Sequence, residues 1–264
     1  LIIAVVFVIS ELVCVACVPE RPVACDEKPG KISDMFKALF KNDQAMTVVV
    51  SIILVYTSLN ICGNLVLYFF RFDVGNEGAY SLFAAVAFAA QVLVMMVIPL
   101  LRKRFSKSQL FISGFIIQIA GFAVILIMAF AKLYTPQSWY ILCLPGILIY
   151  LGYGMLNVIM TIFLSDSVDY GEVMNGTREE SVIFSMQTFT VKLASGVAVF
   201  LAGLVVDWIH LDTAAAVQTQ DTLDALRMWM TIPSVILLIV GIFVFKRFYK
   251  LDDTRMEEIK SKLN

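Results

Sequence analysis

A lysine stands near the middle of a long apolar segment, where its charge is expensive to bury. Lys192 lies in "SMQTFTVKLASG", residues 185–196, with "SVIF" before this stretch and "VAVFLAGLVV" after it. At the centre of a membrane helix a Lys costs about 2.5–3.5 kcal/mol on insertion scales. Such a residue therefore normally faces a water-filled cavity or a partner charge.

Hydroxyl side chains share the helical face of Lys192, because steps of three and four residues return to the same face. They are Ser181, Ser185, Thr188 and Ser195, with Gln187 on the flank. This stripe predicts one wall of a polar cavity. Alternatively, the hydroxyls bond to carbonyls of their own helix and only assist close packing. The lysine in the same stripe favours the cavity.

Two further apolar segments carry polar stripes with the same spacing. The first stripe is Tyr56, Asn60, Asn64 and Tyr68, and the second is Tyr150, Tyr153, Asn157, Thr161 and Ser165. An Asn side chain in hydrocarbon needs a hydrogen-bonding partner, so both segments are expected to face protein or water. Either stripe alone could serve contacts between helices or contacts to a substrate. Three stripes in one chain predict a shared polar interior.

Lys192 lacks an obvious partner charge in the segments around it. The carboxylates within or at the ends of apolar segments are Glu11, Asp166 and Asp207, and the last two lie at opposite ends. A buried lysine without a partner is neutral or hydrated. We expect Lys192 either to be in such a state or to face a carboxylate outside this chain, and we prefer the second interpretation.

Groups typical of catalysis are sparse. The only His is His210, at the edge of an apolar segment, and the segments carry no paired acids and no nucleophile beside a base. Cys14 and Cys17 have C-x-x-C spacing, but they lie in an apolar helix with no second pair and no His nearby. This favours helix packing over a metal or redox site. We expect neither an enzyme nor a metal site nor a cofactor.

The composition places these stripes in membrane helices. Hydrophobic residues make up 60% of the 264 residues and charged residues 16%, against roughly 45–50% and about 25% in soluble domains. A membrane span needs about 20 apolar residues. Candidate runs lie at about 1–18, 46–71, 79–101, 109–131, 139–164, 181–206 and 228–248. We predict an all-α, polytopic helical membrane protein.

Basic residues sort between the two sides of the membrane. Of the 20 Lys and Arg residues, only Arg71, Lys132 and Arg227 fall on one side, and Lys192 falls within a span. All the others fall on the opposite side, which the positive-inside rule makes cytoplasmic. The carboxyl terminus is therefore predicted to be cytoplasmic. The net charge of −1 excludes a nucleic-acid partner.

The chain is expected to divide into four parts. Residues 1–18 form the end of a helix that the sequence enters partway along. Residues 19–45 form a cytoplasmic linker with an interfacial amphipathic helix around Met35 to Phe40. Residues 46–248 form a six-helix bundle of three plus three spans, an arrangement usual in transporters. Residues 249–264 form a short charged helix in a solvated cytoplasmic tail.

An acidic segment connects the fifth and sixth of the seven candidate runs, and it carries a recognisable order of residues. It reads "SDSVDYGEVMNGTREE", residues 165–180, with Arg178 among five acids. By composition alone it is a solvated loop. From Asp166 through "SMQTFTVK" to Lys192, however, the order resembles the glycoside–pentoside–hexuronide:cation symporter family of the major facilitator superfamily. "YFFRFDVG" and the closing "YKLDD" support this resemblance.

The resemblance implies twelve helices in two bundles with a sugar site between them. This chain would supply the end of the sixth helix, the central loop and the second bundle, while the cation-binding carboxylates would lie in the missing amino-terminal bundle. The resemblance also implies that Lys192 lies beside the cation site and that Gln187 and Thr188 lie at the sugar site. The family has a tryptophan at the sugar site where this chain has Asn157, so the resemblance does not carry over that platform for the sugar ring, and the sugar can differ.

Further candidates complete this hypothesis. Tyr153, Asn60 and Asn64 are expected to contribute to substrate binding. The candidates for a cytoplasmic gate are Asp166, Asp169, Tyr170, Glu172 and Arg178. The basic connection "PLLRKRFSKSQL" resembles a degenerate form of a superfamily loop motif. It would form a similar ion-pair latch, or it reflects topology alone.

We therefore expect the carboxyl-terminal half of a secondary active transporter in the plasma (inner) membrane. It would move a sugar or glycoside together with H+, Na+ or Li+ by alternating access. Its expected partners are membrane lipid, the sugar, the coupling cation and the missing amino-terminal bundle. The alternative is a membrane fragment that does not transport, or that dimerises, and acts through protein–protein contacts.

Overall fold

The computed structural model describes residues 2–17, 40–176, 178, 180–215 and 217–263, and these residues are almost entirely helical. The α-helices are α1 (Ile2–Cys17), α2 (Asp43–Tyr68), α3 (Ala79–Leu101), α4 (Lys107–Phe130), α5 (Cys143–Asn175), α6 (Glu180–Trp208), α7 (Gln220–Phe248) and α8 (Asp253–Leu263). A π-helical turn, Phe69–Asp73, extends α2, and a 3-10 turn, Trp139–Leu142, precedes α5. The expected interfacial helix around Met35 to Phe40 falls largely outside the described part.

Six helical segments, built on α2 to α7, are long and apolar enough to cross a membrane. Each has at least 23 residues, against the roughly 20 that a span needs. Helix α1 has only 16 residues, and it belongs to a compact unit separate from the one that holds α2 to α8. The predicted class, an all-α polytopic membrane protein, is confirmed.

Helix α5 extends well beyond the predicted span 139–164. It continues to Asn175, so most of the acidic segment is helical and not a loop. The helix ends at Gly176, whose φ of +73° is left-handed and whose N–H donates to the Glu172 carbonyl at 2.9 Å. Glycine is suited to this C-terminal position because it has no Cβ to clash.

Helices α2 and α5 form the centre of the bundle. Helix α5 packs against α2, α3 and α4, while α2 also packs against α6 and α7. The rings of Phe111, Phe163 and Phe245 join α4, α5 and α7, with centroid separations of 4.5 Å for Phe111–Phe245 and 5.1 Å for Phe111–Phe163. Such aromatic pairs contribute about 0.5–1.5 kcal/mol beyond their buried area.

Helices α4 and α5 cross at very short range. A Cβ on Gly152 would lie 2.5 Å from the Gly114 carbonyl oxygen and 2.6 Å from the Gln118 nitrogen. Only glycine allows the two backbones to approach this closely, and small residues serve this purpose in membrane helix packing. The crossing fixes α5 against its neighbour and hence fixes the direction of the polar stripe on α5.

The connections between helices that were predicted on the same side of the membrane lie at the same end of the bundle. One end of the bundle holds the start of α2, the 102–107 connection and the tail, and we call it the basic end. The other end is called the opposite end. At the basic end Asn42 Nδ2 donates to the Ser167 carbonyl at 2.8 Å. The Gln44 amide accepts from the Lys250 backbone N–H at 2.7 Å. These bonds tie α2 to α5 and to the end of α7.

The tail helix is less solvated than expected. Residues Leu251, Met256 and Ile259 are buried and pack against Tyr170 and Val173 of α5. The polar residues of α8 cover the outer side of this small cluster. The expectation of a short charged helix is correct, but its apolar face docks on the bundle because burying that face is favourable.

Candidate functional site

The polar stripes of α2, α5 and α6 meet through hydrogen bonds. The Tyr56 hydroxyl on α2 accepts from Asn157 Nδ2 on α5 at 2.5 Å. Gln187 Nε2 on α6 donates to the Thr161 hydroxyl on α5 at 3.3 Å. The α5 stripe is thus bonded on both sides. We call Tyr56, Tyr153, Asn157, Thr161 and Gln187 the polar patch.

Aromatic rings pack against the polar patch on its buried side. The Tyr153 ring meets the Tyr56 ring edge to face, with centroids 5.5 Å apart and planes at 78°. Tyr150 follows at 6.5 Å from Tyr153. Tyr153 is buried, Tyr56 and Asn157 are half-buried, and Thr161 is exposed. The patch is therefore anchored in the bundle at Tyr153 and open to the surroundings at Thr161.

The α6 stripe lies on the outer surface of this bundle. Lys192 and Thr188 are exposed, whereas Thr190, Ala194 and Ala198 on the other side of α6 are buried. These small residues let α6 approach α2 closely. Lys192 forms no ion pair and no hydrogen bond with any side chain in the part of the chain that the structure describes.

Three predicted binding residues bond only within their own helices. Asn60 and Asn64 of α2 donate to the carbonyls of Tyr56 and Asn60, each at 2.7 Å. The Thr188 hydroxyl donates to the Phe184 carbonyl at 3.4 Å. The structure thus brings Tyr153, Asn157 and Gln187 together with Tyr56 and Thr161. It does not link Asn60, Asn64, Thr188 or Lys192 to the patch by hydrogen bonds among the described residues.

Arg178 forms an ion-pair cluster at the basic end. Its guanidinium donates to Glu172 at 2.8 Å, to Glu180 at 3.1 Å and to Asp169 at 3.2 Å. Hydrogen bonds to Glu172 and then Glu180 raise the pKa of Arg178 above its ordinary value. The Arg178 side chain is 49% exposed, and exposed pairs of this kind contribute only about 0–1 kcal/mol each. The cluster can therefore break at little cost.

Asp166 belongs to a different cluster from the one predicted. It is buried on α5 and pairs with the buried Lys107 of α4. Lys107 also lies 3.5 Å from Asp253 of the tail helix, which Arg102 contacts at 3.3 Å. The grouping of Asp166 with Arg178 is not found among the described contacts, because the extended α5 points Asp166 toward α4. The basic connection does form ion pairs.

A third cluster at the opposite end was missed by the sequence analysis. Arg227 of α7 binds Asp73 through two hydrogen bonds, of 2.6 Å and 2.8 Å, and binds Asp224 at 2.7 Å. Tyr134 donates to Asp73 at 2.7 Å. Burial and, next, the Asp73 carboxylate raise the pKa of Tyr134, so its hydroxyl stays protonated and donates. An Asp within the aromatic stretch "YFFRFDVG" was the available signal.

Metal ligands are not gathered anywhere in the described ranges. No group of three His, Cys, Asp or Glu side chains among those residues could hold a metal ion. Cys17 is exposed, Cys62 is buried and Cys143 is half-buried, and all three are free thiols. The chemistry that the described clusters support is hydrogen bonding and ion pairing.

A family model described as MFS/sugar transport protein matches residues 1–253 of this chain. Three relatives are similar across most of the chain. The "Uncharacterized symporter YjmB" of Bacillus subtilis (strain 168) is 25% identical over 96% of this chain. The "Isoprimeverose transporter" of Lactiplantibacillus pentosus is 25% identical over 96% of it. The "Raffinose carrier protein" of Pediococcus pentosaceus is 22% identical over 88% of it.

These relatives are longer than the chain. The matched regions cover 54% of the symporter, 51% of the isoprimeverose transporter and 35% of the raffinose carrier. The chain thus spans about half or less of the length of these relatives.

Proposed function

Because the chain belongs to the MFS/sugar transport protein family, we propose that it forms the carboxyl-terminal half of a cation-coupled sugar symporter. The polar patch carries this proposal. It unites uncharged hydrogen-bonding groups from three helices, through the Tyr56–Asn157 and Gln187–Thr161 bonds. Ligand sites carry a small number of placed polar groups that orient the ligand, and transporter substrate sites lie between repeats or bundles near the middle of the membrane. Neutral amides and hydroxyls match the hydroxyl groups of a sugar.

The patch and Lys192 together define the face that meets a second bundle. The Lys192 side chain is exposed on α6, and a charge at membrane depth requires a partner or water. A carboxylate on a second six-helix bundle would satisfy Lys192 and would place the coupling cation near it. The sugar then binds between the bundles, next to Gln187, with Thr188, Asn60 and Asn64 as further contacts after rearrangement.

The Arg178 cluster is proposed as part of the cytoplasmic gate. Arg178 holds the end of α5 through Asp169 and Glu172 and holds the start of α6 through Glu180. Because the shared Arg178 side chain is half-exposed, water screens these pairs and each can break during alternating access. Tyr170, packed under the tail helix, couples the same end of α5 to α8.

The test is uptake of radiolabelled raffinose and isoprimeverose by the product of the complete reading frame that encodes this chain. Uptake is measured in proteoliposomes under gradients of H+, Na+ or Li+. We expect one gradient to drive accumulation. Lys192→Ala should change the cation dependence or the sugar affinity by about 5- to 150-fold, the usual range of coupling between sites. Lys103→Ala, at an exposed position of the basic end, serves as the matched control.

Two outcomes would overturn the proposal. Unchanged cation dependence together with unchanged sugar affinity in Lys192→Ala would remove the role of Lys192. Absence of any uptake or counterflow by the unaltered protein, together with crosslinking of two copies, would favour the alternative of a dimerising fragment that does not transport.

A further inference from the structure

One aromatic ring of the polar patch is held in place by its neighbours and remains partly open. We propose that Tyr56 and Asn157 form a sugar subsite. The Tyr56 ring stacks on the apolar face of a sugar ring, and the Asn157 amide bonds one of its hydroxyls. This inference rests on the proposed function and assigns the part of the site that this chain supplies.

The Tyr56 ring is fixed from two directions. Its hydroxyl accepts from Asn157 Nδ2 at 2.5 Å, and its ring contacts Tyr153 at 78°. Tyr153 is only 8% exposed, so it is a rigid support and not itself a contact surface for ligand. Tyr56 is half-buried, which leaves part of the ring accessible. A ring fixed before binding loses little freedom on binding, and this favours affinity.

The amide of Asn157 is held at one end and open at the other. Its Nδ2 bonds to Tyr56, and its Oδ1 forms no hydrogen bond within the described part of the chain. Gln187 repeats this arrangement one helix away, since its Nε2 bonds to Thr161. An amide can donate and accept, so its open end suits a hydroxyl, which can also do both. The two amides are thus oriented by the protein and available to a ligand.

The patch is uncharged, and this selects the class of ligand. All five of its side chains are neutral, and Lys192 lies five residues after Gln187, which is about 7.5 Å along the helix axis. A neutral sugar ring presents apolar C–H faces and hydroxyl edges. One partly open ring with amides beside it matches both surfaces, as ligand sites combine aromatic surface with a few placed polar groups.

A purely structural role for Tyr56 makes a different prediction. If Tyr56 only joined α2 to α5, through the Tyr153 contact of its ring and the Asn157 bond of its hydroxyl, losing either group would lower the apparent Tm and the maximal rate and would leave the KM unchanged. Tyr56→Phe keeps the ring and removes the hydroxyl, whereas Tyr56→Leu removes both. If the ring stacks on the sugar, the KM of the Phe variant should be close to that of the unaltered protein and the KM of the Leu variant should be higher.

The experiment measures uptake of raffinose and isoprimeverose by the complete protein in proteoliposomes. We expect Tyr56→Leu to raise the KM about tenfold while the maximal rate changes less than twofold. Tyr56→Phe should raise the KM less than threefold, and Asn157→Leu should raise it about tenfold. Tyr140→Leu removes an exposed tyrosine ring far along the chain and is the matched control. Thermal unfolding of each purified variant shows that it is folded.

Each result decides the question. A KM for Tyr56→Leu equal to that of the unaltered protein would overturn the subsite. A KM for Tyr56→Phe as high as that for Tyr56→Leu would overturn it as well. If the unaltered protein transports neither sugar, the proposed function fails and the subsite fails with it. If the unaltered protein transports while the variants match it, only the subsite fails.

Discussion

The buried ion pair between α2 and α7 offers the sharpest test of how the bundle is held together. The Arg227 and Asp73 side chains are 3% and 4% exposed and bond in a two-pronged geometry. Arg227→Met keeps much of the side-chain volume but leaves Asp73 buried without its cation. Removing one partner of a buried pair costs about 3–5 kcal/mol. At 2–4 °C per kcal/mol for a chain of this size, the apparent Tm should fall by about 10 °C.

The assay is thermal unfolding of the purified protein in detergent, followed by near-ultraviolet circular dichroism. Arg71→Met is the matched control, because Arg71 lies in the same turn and pairs with Glu77 at 3.7 Å while both side chains are largely exposed. An exposed pair contributes about 0–1 kcal/mol. The control should therefore change the apparent Tm by no more than about 4 °C.

A double variant separates a buried ion pair from simple packing. In Asp73→Leu/Arg227→Met neither charge is buried alone, so the double variant should be more stable than Arg227→Met. Losses that add up in the double variant would show that the two side chains do not interact as described. An apparent Tm unchanged in Arg227→Met would refute the reasoning directly.

Two further predictions concern the α4–α5 contact. Gly152→Ala should destabilise the protein by about 1–3 kcal/mol, because the new Cβ would lie 2.5 Å from the Gly114 carbonyl oxygen. Gly203→Ala, whose Cβ would meet no atom within 4 Å, should leave the Tm unchanged in the same melts. Lys107→Met should lower the free energy of unfolding by about 3–5 kcal/mol, because it leaves the buried Asp166 without its cation. Restoration of the melting temperature by adding Asp166→Leu would confirm the pairing, and a further fall would contradict it.

The sequence predicted several residues of the candidate site, but it did not predict which of them contact one another. Steps of three and four residues placed Asn157 on the polar face of α5, and Gln187 lay on the flank of the α6 stripe; both belong to the patch. The same spacing placed Asn60 and Asn64 on a polar face, yet their amides bond to their own helix. Spacing reports which face a residue occupies. It does not report whether the residue bonds to its own backbone or to a neighbouring helix.

The sequence by itself determined the class of the molecule, its spans and the sorting of its charges. These follow from local hydrophobicity and from the energy of charges in hydrocarbon, which each segment carries independently of the others. It also placed Lys192 in a polar stripe. Only the tertiary structure decided that this stripe lies outside the packed face of α6 and that Asp73 binds Arg227. Those pairings depend on helix rotation and on close crossings such as the one at Gly152, which involve residues far apart in the chain.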